Sequence, residues 1–100
     1  MEITFDSNKS EKNRRDRNLP FERAALFEFP TAKIKPVRRH GELRLTALGL
    51  YEDKVHFLCF TTHSAGIRVI SFRLASRKER REYDEFRKVL GHNRDGRLDG

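Results

Sequence analysis

The chain has 100 residues, of which 37% are charged and 36% hydrophobic, and its formal net charge is +7. A chain of this length forms one domain with a small core, and its positive charge points to a nucleic acid or an acidic protein as partner. No segment approaches the roughly 18 apolar residues of a membrane span, and the N-terminus lacks the apolar core of a signal peptide. Cys59 is the single cysteine, so no intramolecular disulfide can form, which is typical of a cytoplasmic protein.

The N-terminal segment predicts a short strand followed by a helix. Residues 2–6 alternate between apolar and polar side chains, which favours a strand. Asp6 or Ser7 can cap a helix over 8–17, although that segment contains no large apolar residue. Asn18 can adopt the left-handed conformation that ends such a helix.

Prolines divide the next part of the chain. Pro20 favours a second short helix over 20–28, which is apolar over much of its surface and should lie against a sheet. Pro30 and Pro36 bracket residues 32–37, which can therefore form only an edge strand or an extended loop.

Three stronger strands follow, over 42–50, 55–62 and 67–74. The first and third alternate, whereas the second is apolar on both faces. Because only a few residues separate them, the pattern predicts an antiparallel meander. The fold class expected is α+β, a small antiparallel sheet flanked by helices.

Strict alternation divides the strand over 67–74 into two faces, and the bulkier one should face the helices. The predicted core face carries Arg68, Ile70, Phe72 and Leu74, and the predicted open face carries Ile67, Val69, Ser71 and Arg73.

The last helix is predicted over 76–90. Ser76 and Glu79 have the spacing of a capping box, and Gly91 should end the helix. Its first half, SRKERRE, has no apolar face, so some of its arginines are expected to bind a partner. We therefore predict a single domain over 1–91 and a disordered tail over 92–100.

Several segments in order resemble the BrnT toxins of bacterial toxin–antitoxin pairs. They are FDSNK from Phe5, Asn13, PFERA from Pro20, GELR from Gly41 and IRVISFRLASRKERREY from Ile67 to Tyr83. The resemblance runs from Phe5 to Tyr83. Two departures stand out: the family usually has Lys-His-Gly where this chain has Asp16-Arg17-Asn18, and Phe72 replaces a small alanine.

The resemblance implies a RelE-like fold and a ribonuclease activity that stops translation. It also implies an antitoxin, BrnA, that carries a DNA-binding half and neutralises the toxin by covering it. RNA and a BrnA-like antitoxin in a hetero-oligomer are thus the expected partners, with DNA bound only through the antitoxin.

Metal-independent RNA cleavage needs a base, an acid and cations that stabilise the transition state. Arginine suits the last task because its guanidinium stays charged and pairs bidentately with phosphate. Arg44 and Arg73 are the catalytic candidates, and Arg73 lies close to the amides of the helix that begins at Ser76. Glu42 is the candidate base, and His40 is an alternative base or acid.

Further basic residues are candidates for binding rather than chemistry. For phosphate contacts these are Arg38, Arg39, Arg77 and Ser71, and for the antitoxin Arg77, Arg80 and Arg81. No cofactor is expected, and the spacing of the four histidines does not predict a metal site. A catalytically silent module that grips RNA or an acidic protein through the same arginines is the alternative function.

Overall fold

The computed structural model describes the backbone of residues 1–99 and the side chains of residues 1–91. Its five-stranded sheet has the order β1-β5-β4-β3-β2. The strands are β1 (Glu2–Thr4), β2 (Lys33–Arg39), β3 (Glu42–Tyr51), β4 (Lys54–His63) and β5 (Gly66–Leu74). All five predicted strands are therefore confirmed, and so is the α+β class.

The sheet is mixed rather than wholly antiparallel. β1 runs parallel to β5, whereas the other three strand pairs are antiparallel. The pattern of successive hairpins does not predict the β1–β5 pair, because these two strands are separated by most of the chain. Gly66 permits the close approach, since a Cβ atom there would lie 2.0 Å from the carbonyl oxygen of Glu2.

Two α-helices and two 3₁₀ helices accompany the sheet: α1 (Ser7–Arg17), the 3₁₀ helices Phe21–Leu26 and Phe29–Thr31, and α2 (Arg77–Asp99). The helix predicted over 20–28 is thus 3₁₀. It ends where Phe27 becomes extended and buries its ring. α2 continues past Gly91, so the predicted helix end was wrong. The proposed tail over 92–100 lies outside the residues whose side chains are described. Within the described residues, no helix combines the length and apolar composition that crossing a membrane requires.

Polar side chains attach α1 to the rest of the molecule. Asp6 caps the helix by accepting hydrogen bonds from the amides of Asn8 and Lys9. The buried Ser10 Oγ accepts a bond of 2.9 Å from the Phe21 amide. The helix has no large apolar residue, so these bonds replace the apolar stripe that usually holds a helix in place.

Asn13 is the main link between α1 and the sheet. Its buried Nδ2 donates to the carbonyl oxygens of Leu19 at 2.6 Å and Phe72 at 2.8 Å, and its Oδ1 accepts from Arg17 at 2.7 Å. β1 pairs only with Gly66–Arg68, so the later part of β5 has no strand on that side. Asn13 therefore satisfies a carbonyl that would otherwise be an unpaired sheet edge.

The core lies between the sheet and the segment from α1 to the 3₁₀ helices. Its buried apolar members are Leu19, Phe21, Ala24, Phe27, Ala47, Tyr51, Leu58, Phe60, Ile67, Val69 and Phe72. Phe72 is completely buried, with ring centroids of Phe27 and Tyr51 at 6.2 and 5.5 Å in edge-to-face geometry. The larger side chain that departs from the family pattern is thus packed by aromatic neighbours.

A bulge in β5 corrects the predicted strand faces. Ser71 pairs with Cys59 but Val69 pairs with Phe60, so Ile70 is an extra residue between them. An extra residue shifts the alternation by one. Ile67, Val69 and Phe72 consequently all face the core, so the predicted placement of Ile67 and Val69 on the open face was wrong.

The start of α2 is tied to the end of β5. Glu79 Oε1 accepts from the Ser76 amide at 2.8 Å, and Ser76 Oγ accepts from the Glu79 amide at 3.2 Å, which confirms the capping box. The same carboxylate accepts two bonds from Arg73, at 2.7 and 3.0 Å. These bonds from Arg73, more than any other contact, lower the Glu79 pKa from 4.5 to about 2.

Replacing Asn13 by alanine should destabilise the fold strongly, because two carbonyl oxygens lose their donor. We expect the free energy of unfolding, measured by urea denaturation, to fall by about 2–3 kcal/mol. Arg15→Ala is the matched control, since Arg15 is exposed on the same helix and has no side-chain partner among the described residues. Equal stabilities of the two variants would contradict the role given to Asn13.

The Glu79 carboxylate should make stability pH-dependent in acid. Because its pKa is depressed in the folded state, its contribution is present above pH 4.5 and is lost as the pH falls towards 2. In Glu79→Gln, the loss of unfolding free energy over this window should be smaller than in the wild type. Arg73→Gln should reduce it similarly, and the double variant should add little further. Parallel pH profiles for all four proteins would refute the coupling.

Candidate functional site

The sheet face opposite the core helices carries three arginines and a serine, and we call it the arginine face: Arg39, Arg44, Ser71 and Arg73 with the side chains between them. The strand register places Thr46, Cys59 and Ser71 in one row and Leu48, Phe57 and Arg73 in the next. A cleft of about 350 Å³ opens on this face. It is lined by Val37, Arg39, Arg44, Thr46, Phe57, Cys59, Ile70, Ser71 and Arg73.

Arg73 is held from two sides. Its guanidinium carbon lies 4.2 Å from the centroid of the Phe57 ring, and Glu79 binds two of its nitrogens. The side chain nevertheless keeps 31% of its surface exposed. The stacked and bidentate contacts fix the plane of the guanidinium without sealing it from the cleft, so an anion in the cleft meets a pre-oriented cation.

Arg44 reaches the same cleft from β3. Its Nε donates to Glu42 Oε1 at 2.9 Å, and the Glu42 side chain is about half exposed. On β2, Val37 pairs with Arg44 of β3, and Arg39 lies two residues after Val37 on the same face of the strand. Arg44 and Arg73 thus line the same cleft, although β4 separates their two strands.

Four predicted phosphate or catalytic residues are not among those that line the cleft: Arg38, His40, Glu42 and Arg77. His40 and Gly41 form the β2–β3 turn with positive φ angles of 51° and 77°, and Arg38 donates to the Gly41 carbonyl at 3.3 Å. Arg77 is exposed on the first turn of α2. The turn carries Arg38 and His40 to the end of the hairpin, where neither lines the cleft.

The predicted phosphate site at the start of α2 is altered by the capping box. The amides of Ser76 and Glu79 already donate to side-chain oxygens of the box, so they are not free for an anion. Arg73 remains, but the helix N-terminus adds less to the site than expected.

Cys59 lies on the floor of the cleft and is buried. Burial raises the pKa of its thiol, although the nearby Arg44 and Arg39 act in the opposite direction. A raised pKa disfavours the thiolate, which is the nucleophilic form. Cys59 therefore contributes shape rather than reactivity, as its apolar sequence context predicts.

Sequence reasoning missed the two residues that hold Arg73. The capping-box spacing identified Glu79 as a helix cap, but no local pattern linked it to Arg73. Phe57 comes under the guanidinium only because of the β4–β5 register. The signal available in the sequence was an arginine followed six residues later by the acidic residue of a capping box.

A second surface, the helix groove, lies along α2. It is lined by Lys33, Lys78, Arg81, Glu82, Glu85, Phe86, Val89 and Leu90. Val89 is 53% exposed and Leu90 38%. Arg77, Arg80 and Arg81 form no ion pair with any side chain of residues 1–91. The groove thus combines the apolar side chains of Phe86, Val89 and Leu90 with charges of both signs, and Arg81 in its lining has no ion-pair partner within residues 1–91.

Over the portion of the chain that the structure describes, no three His, Cys, Asp or Glu side chains cluster as metal ligands would.

Comparison with protein families gives one match, over residues 5–79, to the family described as the ribonuclease toxin BrnT of type II toxin–antitoxin systems. No match is found among curated proteins or among solved structures. The matched segment covers most of the chain and includes the whole arginine face, from Arg39 on β2 to Arg73 on β5. A ribonuclease toxin of a type II toxin–antitoxin system has RNA as its substrate and an antitoxin protein as its partner. The chain therefore belongs to the BrnT family of ribonuclease toxins of type II toxin–antitoxin systems.

Proposed function

We propose that this toxin is an endoribonuclease that cleaves RNA in the cytoplasm without a metal ion, and that the arginine face is its active site. The observation that carries the proposal is the cleft in which Arg44, Ser71 and Arg73 lie together. Its volume of about 350 Å³ is in the range of small-ligand sites, and its two central cations are fixed by neighbouring side chains.

The chemistry is an internal transfer at phosphorus. The 2′-oxygen attacks the adjacent phosphorus, the bond from phosphorus to the 5′-oxygen breaks, and a 2′,3′-cyclic phosphate and a 5′-hydroxyl end result. A base takes the 2′-hydroxyl proton, and an acid gives a proton to the leaving oxygen. Arg44 and Arg73 stabilise the negative charge that develops on the phosphate oxygens.

Glu42 is the base we favour, with His40 as the alternative base or acid. The Glu42 carboxylate lies beside a catalytic arginine, through its bond to Arg44. His40 is two residues earlier in the β2–β3 turn. Glu79 is less suitable, because a pKa of about 2 makes it a weak base. Its role is to position Arg73.

The remaining candidate residues contribute to RNA binding, some by direct contact and some over a longer distance. Arg39 and Ser71 line the cleft and contact the phosphates that flank the scissile one. Arg38 and Arg77 lie outside it, so they increase the attraction for RNA through the field of the surface.

The cognate antitoxin is a BrnA-like protein that neutralises the toxin in a hetero-oligomer and supplies its DNA binding. An acidic segment of it with apolar side chains fits the helix groove, because Lys78 and Arg81 line the groove beside Phe86, Val89 and Leu90. Arg77 and Arg80 are exposed on the same helix and add to its positive charge. α2 starts directly beside Arg73, so a partner seated there also obstructs the cleft.

A catalytically silent RNA-binding module is the second candidate. The observation in its favour is the bidentate Arg73–Glu79 pair, which offsets the charge that a transition state would use. Cleavage and binding measured on the same variants separate the two functions.

Arg73→Ala should slow RNA cleavage by a factor on the order of 10²–10³, the usual effect of removing one transition-state donor. Cleavage of a mixed-sequence RNA in EDTA measures the rate, and circular dichroism checks the fold. Arg23→Ala is the control, because Arg23 is an exposed arginine of the first 3₁₀ helix. Arg44→Ala tests the same cleft without breaking the Arg73–Glu79 pair. Near wild-type cleavage by folded Arg73→Ala and Arg44→Ala would exclude the arginine face as the active site.

Reversing the charges of Arg80 and Arg81 to glutamate should slow association with the antitoxin by about tenfold or more at low salt, and should weaken its salt dependence. Stopped-flow kinetics at several salt concentrations measures both. The control is the double reversal of Arg15 and Arg23, which also lowers the net charge from +7 to +3, since each reversal removes two charges.

Equal association rates for the two double variants would mean that total charge, rather than the helix groove, attracts the antitoxin. The toxin alone is also tested for self-association. If it self-associates and only the Arg80 and Arg81 variant abolishes this, the groove binds a second copy of the chain.

A further inference from the structure

A second cleft lies on the core side of the sheet, where α1 ends against the β3–β4 turn. This cleft, the His56 pocket, has a volume of about 560 Å³, and its polar lining consists of Arg17, Asn18, Tyr51, Glu52, Lys54, His56 and Arg73. His56 pairs with Gly49, which packs under Phe27. The His56 pocket is therefore on the opposite side of the sheet from the arginine face.

His56 is only 7% exposed, yet one of its two ring nitrogens has no hydrogen-bond partner among the described residues. Nδ1 lies 2.8 Å from the Lys54 carbonyl oxygen, which can only accept, so Nδ1 carries the proton. Nε2 has no hydrogen-bond partner among the described residues. No fully buried side-chain nitrogen or oxygen among the described residues lacks a partner, so Nε2 keeps some exposed surface, and His56 lines the pocket. In the neutral ring this nitrogen is a hydrogen-bond acceptor.

Tyr51 adds a second unused polar group. The residue is 5% exposed, and its ring packs edge-to-face on His56 with centroids 5.1 Å apart. Its hydroxyl makes no hydrogen bond within residues 1–91, so by the same reasoning it is also open to solvent. The two rings hold each other in fixed orientations, which leaves the acceptor and the hydroxyl preorganised.

The charges around these groups favour an anion. Arg17 and Lys54 line the pocket, against the single carboxylate of Glu52. One guanidinium nitrogen of Arg17 is bound to Asn13 Oδ1 at 2.7 Å, which fixes the side chain while leaving its other nitrogens available. A ligand that combines a phosphate with a neutral donor matches both the cations and the Nε2 acceptor.

We propose that the His56 pocket is an RNA subsite that binds one nucleotide of the substrate and reads its 2′-hydroxyl. The phosphate lies against Arg17 and Lys54, and the ribose 2′-hydroxyl donates to His56 Nε2. This hydroxyl is the group that distinguishes RNA from DNA. Arg73 lines both this pocket and the cleft of the arginine face, so one strand can pass over the end of β5 from one site to the other.

The inference depends on RNA being the ligand, but it does not depend on cleavage at the arginine face. The test therefore uses mononucleotides that cannot be cleaved: adenosine 3′-monophosphate and its 2′-deoxy analogue, titrated at pH 8 by calorimetry. Wild-type protein should bind the ribonucleotide about three- to tenfold more tightly, the effect of one hydrogen bond. Resonances of the His56 ring should shift on binding.

The variants separate the two parts of the ligand. His56→Leu should remove the preference for the ribonucleotide, while Lys54→Gln should weaken both nucleotides about tenfold and keep the preference. His63→Leu is the matched control, because His63 is an exposed histidine at the other end of β4. Equal affinity of the wild type for the two nucleotides, or an unchanged preference in His56→Leu, would overturn the proposal, as would absence of binding at millimolar concentration.

Arg44→Ala distinguishes this inference from the proposed function. It should slow cleavage of RNA by a factor on the order of 10²–10³ while leaving the preference for the ribonucleotide over its 2′-deoxy analogue unchanged. Loss of cleavage without any nucleotide binding in the wild type would refute only the subsite. Unchanged cleavage together with selective nucleotide binding would refute only the arginine face.

Discussion

The extra residue at Ile70 is the constraint on which both faces of the sheet depend. In a regular strand of the same sequence, without the bulge, strict alternation would give Arg73 the orientation of Ile67 and Val69, which point into the core. With it, three apolar residues of one strand pack inward, and Ser71 and Arg73 still reach the open face. Bulges are frequent next to active sites because they re-aim a side chain in this way. The bulge thus allows one strand to contribute both to the core and to the arginine face.

Arg73 illustrates how a site can be oriented at some cost to its charge. Glu79 fixes the guanidinium by two bonds and also caps α2, so the strand end, the helix start and the cation form one unit. Phe57 supports the guanidinium from below. The carboxylate offsets part of the positive charge, but an unsupported arginine would have to lose side-chain entropy when it binds an anion. The contacts that fix the orientation of Arg73 therefore also weaken the positive electrostatic potential around its guanidinium.

Hydrogen bonds rather than apolar contacts hold α1 in place. Ser10 and Asn13 each bind a backbone group outside their own helix, and Asn13 also satisfies the carbonyl of Phe72 in the strand that carries Arg73. A polar helix of this kind has no freedom to slide, because any shift leaves buried backbone groups without partners. The motif FDSNK with Asn13, which marks the family resemblance, is explained here by structure rather than by catalysis.

Local patterns in the sequence were enough to predict the strands, the capping box and the polar helix α1, because each depends on neighbouring residues. Periodicity identified β3, β4 and β5, and Ser76 with Glu79 marked the start of α2. The same reasoning placed Ile67 and Val69 on the wrong face, since alternation alone contains no information about a bulge. It also treated the last helix as ending at Gly91 and expected a regular helix where the chain forms 3₁₀ turns.

What only the tertiary structure decided are the contacts between residues distant in the chain. Arg44 and Arg73 line the same cleft on either side of β4, and Phe57 lies under the Arg73 guanidinium. His56 lines a second pocket together with the end of α1. His40 and Arg38, which neighbour Glu42 in the chain, are carried away from the cleft by their turn. The sequence by itself determined which residues could carry the chemistry and which segments form strands and helices. Which of these residues come together depends on the strand register and on the parallel pairing of β1 with β5. Both are set by packing over the whole chain, and no local pattern of the sequence encodes that packing.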